Sequence, residues 1–225
     1  MTAMLEPPKH KGPFRRSAIL EVATGILRRP PQPEYAAGCA YLQPGKLTVL
    51  FGPSNKERSR FSISLMSGLL KSDRHIEAKP VFWFNRRALY LEILRMLLQH
   101  ETSRQLQQCR GDHEAAMIQA IEHIQTSGLE YDTQCKTVEA ICAKVQAQQA
   151  LQPAQLVVVD GLEHFDTEPA EKSHLFNLSK QLSQLKQLAQ QTGLPVLATY
   201  PSGTEANGED PMVKADFTIH LWNNE

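Results

Sequence analysis

The chain has 225 residues, of which 41% are apolar, so it can bury a sizeable core, and we expect one main domain. Lysine plus arginine number 24, as do aspartate plus glutamate, so no global field attracts nucleic acid or an anionic membrane. The four cysteines are scattered and form no CxxC pair, which argues against a disulfide framework.

Residues 1–38 are predicted to be a flexible, basic, proline-rich segment, and residues 39–225 a single core domain. One apolar patch in the first segment, SAILEVATGIL, has helical spacing, with Ser17 as a candidate N-cap. Such a short helix buries little by itself, so it either packs on the core domain or is offered to a partner. The nearby arginines are candidate contacts to DNA or a partner, with a solvated tail as the alternative: Arg15, Arg16, Arg28 and Arg29.

From residue 40 onward, strand patterns alternate with helical ones. The predicted strands are KLTVLF, PVFWF, LVVVD, LPVLATY and FTIHLW. The predicted helices are RFSISLMSGLL, ALYLEILRMLLQ, AAMIQAIEHIQ, KTVEAICAKVQAQQAL and LFNLSKQLSQLKQLAQQTG, the last ended by Gly193 as a left-handed C-cap. This alternation predicts an α/β fold, with a mainly parallel sheet covered by helices on both faces.

The sequence gives no sign of export or of a metal site. No apolar run reaches the ~18 residues that a membrane-spanning helix needs, and the N-terminus lacks a signal-peptide pattern, so we expect an intracellular protein. Cys109 and His113 lie four residues apart, but no second close pair completes a set of about four zinc ligands.

Ligands of parallel α/β sheets bind at the carboxyl ends of the strands. This rule predicts one rim, built from residues 52–59, 85–87, 160–163 and 199–202.

The first of these segments, GPSNKERS, has the outline of the phosphate-binding pattern G-x-x-x-x-G-K-[ST]. Gly52 and Ser59 fit, and Arg58 keeps the charge of the lysine, but as a planar fork rather than a compact ammonium. Glu57 replaces the second glycine. It places a side chain where the loop favours φ > 0, and a negative charge beside the phosphates. We therefore expect a degenerate nucleotide-binding loop, with the helix starting at Ser59.

The order of these parts resembles the RecA-like ATPase core over roughly residues 42–222. LQPGKLTVLFG is similar to the start of that core, and VVVDGLEHF to its second nucleotide motif. The resemblance implies that Asp160 is the magnesium-associated carboxylate and that a polar sensor follows the next strand, where Thr199 and Tyr200 stand instead of the usual Gln. It also implies that an acid should follow the second strand. Asn85, Arg86 and Arg87 stand there instead, and neither side-chain type acts as a general base near neutral pH.

Gly52, Arg58, Ser59 and Asp160 are therefore interpreted as a vestigial nucleotide site without catalytic residues. The resemblance also implies an arginine or lysine finger for a neighbouring subunit, and LWNNE offers neither residue. Loss of one such transition-state contributor costs about 10³- to 10⁵-fold in rate. We expect no required cofactor, with ATP and magnesium bound only if the site is residual. Three alternatives stay open: weak nucleotide binding without turnover, ATP hydrolysis, and no nucleotide role at all. In the last case Asp160 merely ends a strand and Gly52 merely makes a turn.

VFWFNRRAL and VVVDGLEHF resemble the divergent eukaryotic recombinase paralogs, in particular the small subunit that partners a SWIM zinc-finger protein in Shu-type complexes. The resemblance implies a nuclear accessory factor in homologous recombination, which forms a heteromer with a SWIM-domain protein or a recombinase and binds DNA. Arg86 and Arg87 are a second candidate DNA or partner patch, unless they pair with Asp160 or Glu163 and fill the vacated site. Two other hypotheses are a nucleotide-hydrolysing relative of the replicative hexameric helicase core and a scaffold that binds no nucleic acid.

Overall fold

The computed structural model describes residues 39–67, 79–86, 90–106, 108–166, 174–202 and 214–221. The strands within these ranges are β1 (Leu47–Gly52), β2 (Val81–Asn85), β3 (Leu129–Asp132), β4 (Leu156–Asp160), β5 (Val196–Pro201) and β6 (Phe217–His220). The α-helices are α1 (Asn55–Ser67), α2 (Tyr90–Leu106), α3 (His113–Thr126), α4 (Val138–Gln149) and α5 (His174–Thr192). The predicted N-terminal segment, residues 1–38, lies outside the described residues.

The six strands of the described ranges form one sheet in the order β3-β2-β4-β5-β1-β6, and every pairing between them is parallel. The LVVVD segment is a central strand, β4, paired with β2 and β5. A parallel sheet needs a crossover between successive strands, and helices supply it after β1, β2, β3 and β4. The predicted α/β fold with a mainly parallel sheet is confirmed.

Two apolar clusters cover the two faces of the sheet. Because side chains alternate along a strand, Trp83 points into the cluster built with α1, α2 and α3, whereas Phe82 and Phe84 join α4 and α5 on the other face. Trp83 is fully buried. Helices therefore lie on both faces, as expected for strands that read as continuous apolar runs.

The helix ends follow the local sequence signals. Asp112 accepts the backbone N–H of Glu114 at 3.0 Å and caps α3, and Thr137 accepts that of Ala140 at 3.1 Å and caps α4. Helix α5 ends at Thr192, and Gly193 follows with φ of +70°, which confirms the predicted left-handed C-cap.

Helix α2 extends to Leu106, well beyond Gln99, where the predicted helix ALYLEILRMLLQ ends. Glu101 is fully buried there, and its Oε2 accepts hydrogen bonds from Arg104 Nη2 at 2.7 Å and Nε at 3.0 Å. His123 of α3 lies on the same oxygen, with Nδ1 at 3.1 Å. Burial alone would raise the pKa of Glu101, but His123 and Arg104 outweigh it and lower that pKa. A polar cluster thus joins the two helices that cross between β2 and β3.

Strand β3 is the element that strand periodicity misses. It is a four-residue edge strand in which only Leu129 is buried, so it shows no continuous apolar run. Its pairing with β2 places it in the sheet.

Candidate functional site

The predicted rim is formed where β1, β2, β4 and β5 end. Asp160, the last residue of β4, stands opposite Asn85 of β2 and is only 2% exposed. Its Oδ2 accepts hydrogen bonds from Ser59 Oγ at 2.6 Å and from Asn85 Nδ2 at 2.8 Å. Its Oδ1 accepts one from Thr199 Oγ1 at 2.9 Å. Residues from three separate segments therefore converge on the carboxyl group of a fourth.

Burial of Asp160 raises the pKa of its carboxyl group above the ordinary value, and the hydrogen bonds from Ser59, Thr199 and Asn85 oppose that rise. Thr199 also accepts the backbone N–H of Gly161 at 2.7 Å, so it ties β5 to the turn after β4. Asn85 thus binds the carboxyl group from the position where the RecA-like resemblance implies an acid.

The phosphate-loop segment is shorter than the sequence predicts, because α1 begins at Asn55 rather than at Ser59. Ser54 Oγ accepts the backbone N–H of Glu57 at 3.3 Å and so caps the first turn of the helix, and the same hydroxyl donates to Glu57 Oε2 at 2.8 Å. The expectation of a positive φ at Glu57 is wrong, since within the described ranges Arg110 is the only non-glycine residue with positive φ. Residue 57 lies inside the helix, where φ is negative, so the position does not require glycine.

Arg58 is the charged residue whose placement the sequence interpretation missed. Its side chain is 1% exposed and folds back onto Gly52, with Nη1 donating to the Gly52 carbonyl oxygen at 2.9 Å. Its Nη2 donates to Asn55 Oδ1 and to Glu163 Oε1. A Cβ added at Gly52 would lie 2.9 Å from Arg58 Cγ, so only glycine accommodates this packing.

Arg86 has a different partner from those considered in the sequence. Its Nη1 lies 2.8 Å from Asp166 Oδ2 and donates to the carbonyl oxygens of Lys136 at 3.3 Å and His164 at 3.4 Å. The alternative in which Arg86 pairs with Asp160 or Glu163 is therefore wrong: Arg58 holds Glu163. The remaining candidate arginines lie outside the described residues: Arg15, Arg16, Arg28, Arg29 and Arg87.

A cavity of about 560 Å³ opens at this rim. The charged lining residues in the described ranges include the carboxyl groups of Glu92, Asp160 and Glu163 and the cations of Lys56 and Arg58. Glu92 comes from the first turn of α2, and no sequence motif selects it. With Arg58 and Glu163 paired, the cavity has no excess of positive charge for a polyphosphate.

Magnesium nucleotide is the ligand that a RecA-like rim implies, and the residues present do not fit it. Such a site needs free backbone N–H groups, a cation that reaches the phosphates, and oxygen ligands available to magnesium. The N–H of Glu57 is capped, Arg58 is bound to Glu163, and Ser59 is bonded to Asp160. Arg58, Ser59 and Asp160, the groups that correspond to the nucleotide motifs, are thus bonded to protein side chains.

The described ranges contain neither a metal cluster nor a membrane-spanning helix. No group of three or more His, Cys, Asp or Glu side chains there has an arrangement suited to a metal ion, so Cys109 and His113 have no such group around them. None of the helices there combines the length and apolar content of a membrane-spanning segment.

Solved structures with this fold are RecA-like ATPases. One, a DnaB-like replicative helicase described with its interactions with primase, has a TM-score of 0.66 and 15% identity over 94% of this chain, which spans 57% of that chain. A second, an ATPase domain, has a TM-score of 0.65 and 16% identity over 92% of this chain and 82% of its own. A RadB recombinase has a TM-score of 0.48 and 19% identity, over 80% of this chain and 75% of its own. No protein-family profile and no curated protein sequence matches the chain.

The first two similarities, together with the parallel sheet, define the class of fold: this is a RecA-like α/β domain. At such low identity the similarity extends to the fold alone, so function must be argued from the rim.

Proposed function

We propose that the chain is a non-catalytic or weakly catalytic RecA-like accessory subunit that acts in homologous-recombination DNA repair through partner and DNA contacts. One observation carries the non-catalytic part: Asp160 is bonded by three protein donors while Arg58 is paired with Glu163. Phosphoryl transfer depends on positioned cations and magnesium ligands around the phosphates, and these groups are engaged with each other. No cofactor is required in this proposal, and ATP with magnesium binds only if the site is residual.

The recombination role is supported by the resemblance of residues 81–89 and 157–165 to the small Shu-type subunit. We infer a nuclear protein that forms a heteromer with a SWIM-domain protein or a recombinase, with no membrane contact. Affinity purification of the tagged chain from its own cells, with mass spectrometry of the co-purifying proteins, tests this inference. Recovery of a SWIM-domain protein or a recombinase is expected, and recovery of neither with a folded chain contradicts it.

A nucleotide-hydrolysing relative of the replicative helicase core is the second candidate, favoured by the similarity to solved helicase and ATPase structures. Hydrolysis of magnesium ATP by the wild-type chain and by Asp160→Asn separates the two candidates. We expect no turnover above the buffer background in either protein. Turnover in the wild type that Asp160→Asn abolishes would refute the non-catalytic proposal.

DNA contact is proposed for the arginine-rich N-terminal segment, because Arg86 is held by Asp166. Removal of one cation that binds a phosphate lowers the slope of log affinity against log salt by about 0.9, so replacing Arg15 and Arg16 by alanine should lower it by about 2. Lys79→Ala is the matched control, since Lys79 is an exposed cation before β2, at the opposite end of the strands from the rim. An unchanged slope in the double variant, or no DNA binding at all, favours the scaffold hypothesis.

A further inference from the structure

The rim contains two carboxylates of its own at places where a phosphate loop would bind an anion. Glu57 lies in the first turn of α1 and bonds to the capping residue Ser54. Glu163 binds the guanidinium of Arg58 across 105 residues of chain. Helix N-termini and arginine forks are the two features that attract phosphate in proteins. Glu163 engages the arginine, and Glu57 adds a negative charge to the first turn of the helix.

Glu163 is held in this position by the turn that follows β4. Gly161 has φ of +80°, and a short 3₁₀ turn over Leu162–His164 follows it. A Cβ at Gly161 would lie 2.9 Å from His164 Cδ2, so the turn requires glycine for both its φ and its packing. The resulting pair is largely shielded, with side-chain exposures of 1% for Arg58 and 12% for Glu163.

Because the Arg58–Glu163 pair is shielded from water, the Glu163 carboxylate competes strongly with an incoming phosphate for Arg58. A charge-assisted contact in a buried setting is worth more than one at the surface, because water screens it less. To bind Arg58, an incoming phosphate must displace Glu163 and leave that carboxylate beside Glu92 and Asp160 in the same cavity. Both changes are unfavourable.

We propose that Glu163 is the specificity-determining residue of the rim: its carboxylate takes the anion position on Arg58 and thereby excludes phosphate groups from the cavity. Without that carboxylate, Arg58 and the rim cavity form a binding site for a pyrophosphate group. The inference rests on the proposed non-catalytic function, and it attributes that function to the contact between Glu163 and Arg58.

Inorganic pyrophosphate in magnesium-free buffer is the probe, with thermal unfolding of the full chain as the readout. A ligand that binds only the folded state raises its unfolding temperature in a saturable way. Sodium sulfate at equal ionic strength corrects for the general stabilisation that such anions produce. Glu163→Gln is the test variant, because the amide keeps an oxygen that accepts from Arg58 while removing the charge.

Pyrophosphate should bind Glu163→Gln about ten- to a hundredfold more tightly than it binds the wild type, the factor that one charge-assisted hydrogen bond supplies. The gain should disappear in Arg58→Met/Glu163→Gln. Glu139→Gln is the matched control, because it removes a carboxylate that pairs with Lys180 at 3.0 Å, remote from the rim cavity, and it should respond like the wild type.

An equal response of the wild type and Glu163→Gln overturns the proposal, as does a response that persists without Arg58. If Glu163→Gln does not fold, Glu163→Asp replaces it: the retracted carboxylate keeps a charge opposite Arg58 and should give a smaller gain of the same sign. No gain in that variant also overturns the proposal. These outcomes leave the proposed function untouched, since that function fails on wild-type hydrolysis or on the absence of the expected partners.

Discussion

Replacement of Asp160 by alanine tests whether the rim network holds the ends of the central strands together. The carboxyl group accepts three hydrogen bonds, from Ser59 at 2.6 Å, Asn85 at 2.8 Å and Thr199 at 2.9 Å. At about 1 kcal/mol net for each bond, Asp160→Ala should cost about 3 kcal/mol of unfolding free energy. The three donors are buried, so water cannot readily replace the hydrogen bonds that they lose in the variant.

Asp160→Asn should cost only about 1 kcal/mol, because the new amide keeps an oxygen for Thr199, and Asn85 can rotate its own amide to accept from it. Urea unfolding at pH 7, with an unchanged m-value, measures both differences. Leu151→Ala is a neutral control, since Leu151 is 87% exposed. A cost below about 1 kcal/mol for Asp160→Ala, or equal costs for the two variants, would refute a structural network at the rim.

The raised pKa of Asp160 adds a pH dependence with a definite sign. A carboxyl group whose pKa is higher in the folded state binds its proton more tightly there. Its contribution to stability is therefore fully present below the unfolded pKa and is lost as the pH rises through the folded one. Relative to Asp160→Asn, which does not titrate, the wild type should gain stability as the pH is lowered from 7 toward 4. A relative decrease over this interval would contradict the argument.

Two further predictions concern stability away from the Asp160 network. Glu101→Gln should cost about 1.5 to 3 kcal/mol at pH 7 in urea unfolding, whereas Glu122→Gln on the exposed side of α3 should cost nothing measurable. Because the folded pKa of Glu101 is lowered, the wild type should lose its extra unfolding free energy over Glu101→Gln as the pH falls below 4.5 and through the folded pKa. A difference in unfolding free energy that stays constant with pH would contradict this. Ser54→Ala and Glu57→Ala should each cost about 1 kcal/mol, and the double variant little more than Ser54→Ala alone, since the two side chains bond to each other at one N-cap. Additive costs would show independent roles.

The fold could be predicted from sequence because its signals are local. The apolar runs of β1, β2 and β4 and the leucine spacing of α5 each require burial on particular faces, and a parallel sheet is the arrangement that satisfies them all. Strand periodicity does not predict the edge strand β3, because only Leu129 in it is buried. Helix α2 was predicted too short because Glu101 looks like a surface residue until its partners are known.

The rim was predictable as a place but not as a set of contacts. The sequence selected Gly52, Arg58, Ser59 and Asp160, and the structure brings all four together. Local patterns offer no means to choose among the acidic partners of an arginine. Arg86, which directly follows β2, pairs with Asp166, whereas Arg58 reaches Glu163.

The sequence by itself determined the architecture and the altered composition of the loop, because periodicity and the absence of a second glycine are visible one residue at a time. Only the tertiary structure decided what GPSNKERS does. It starts helix α1 at Asn55, folds Arg58 back over Gly52, and places Glu163 on the guanidinium. The physical reason is range: hydrogen bonds between groups 101 and 105 residues apart depend on strand register and on distances of a few ångströms, which no local pattern encodes.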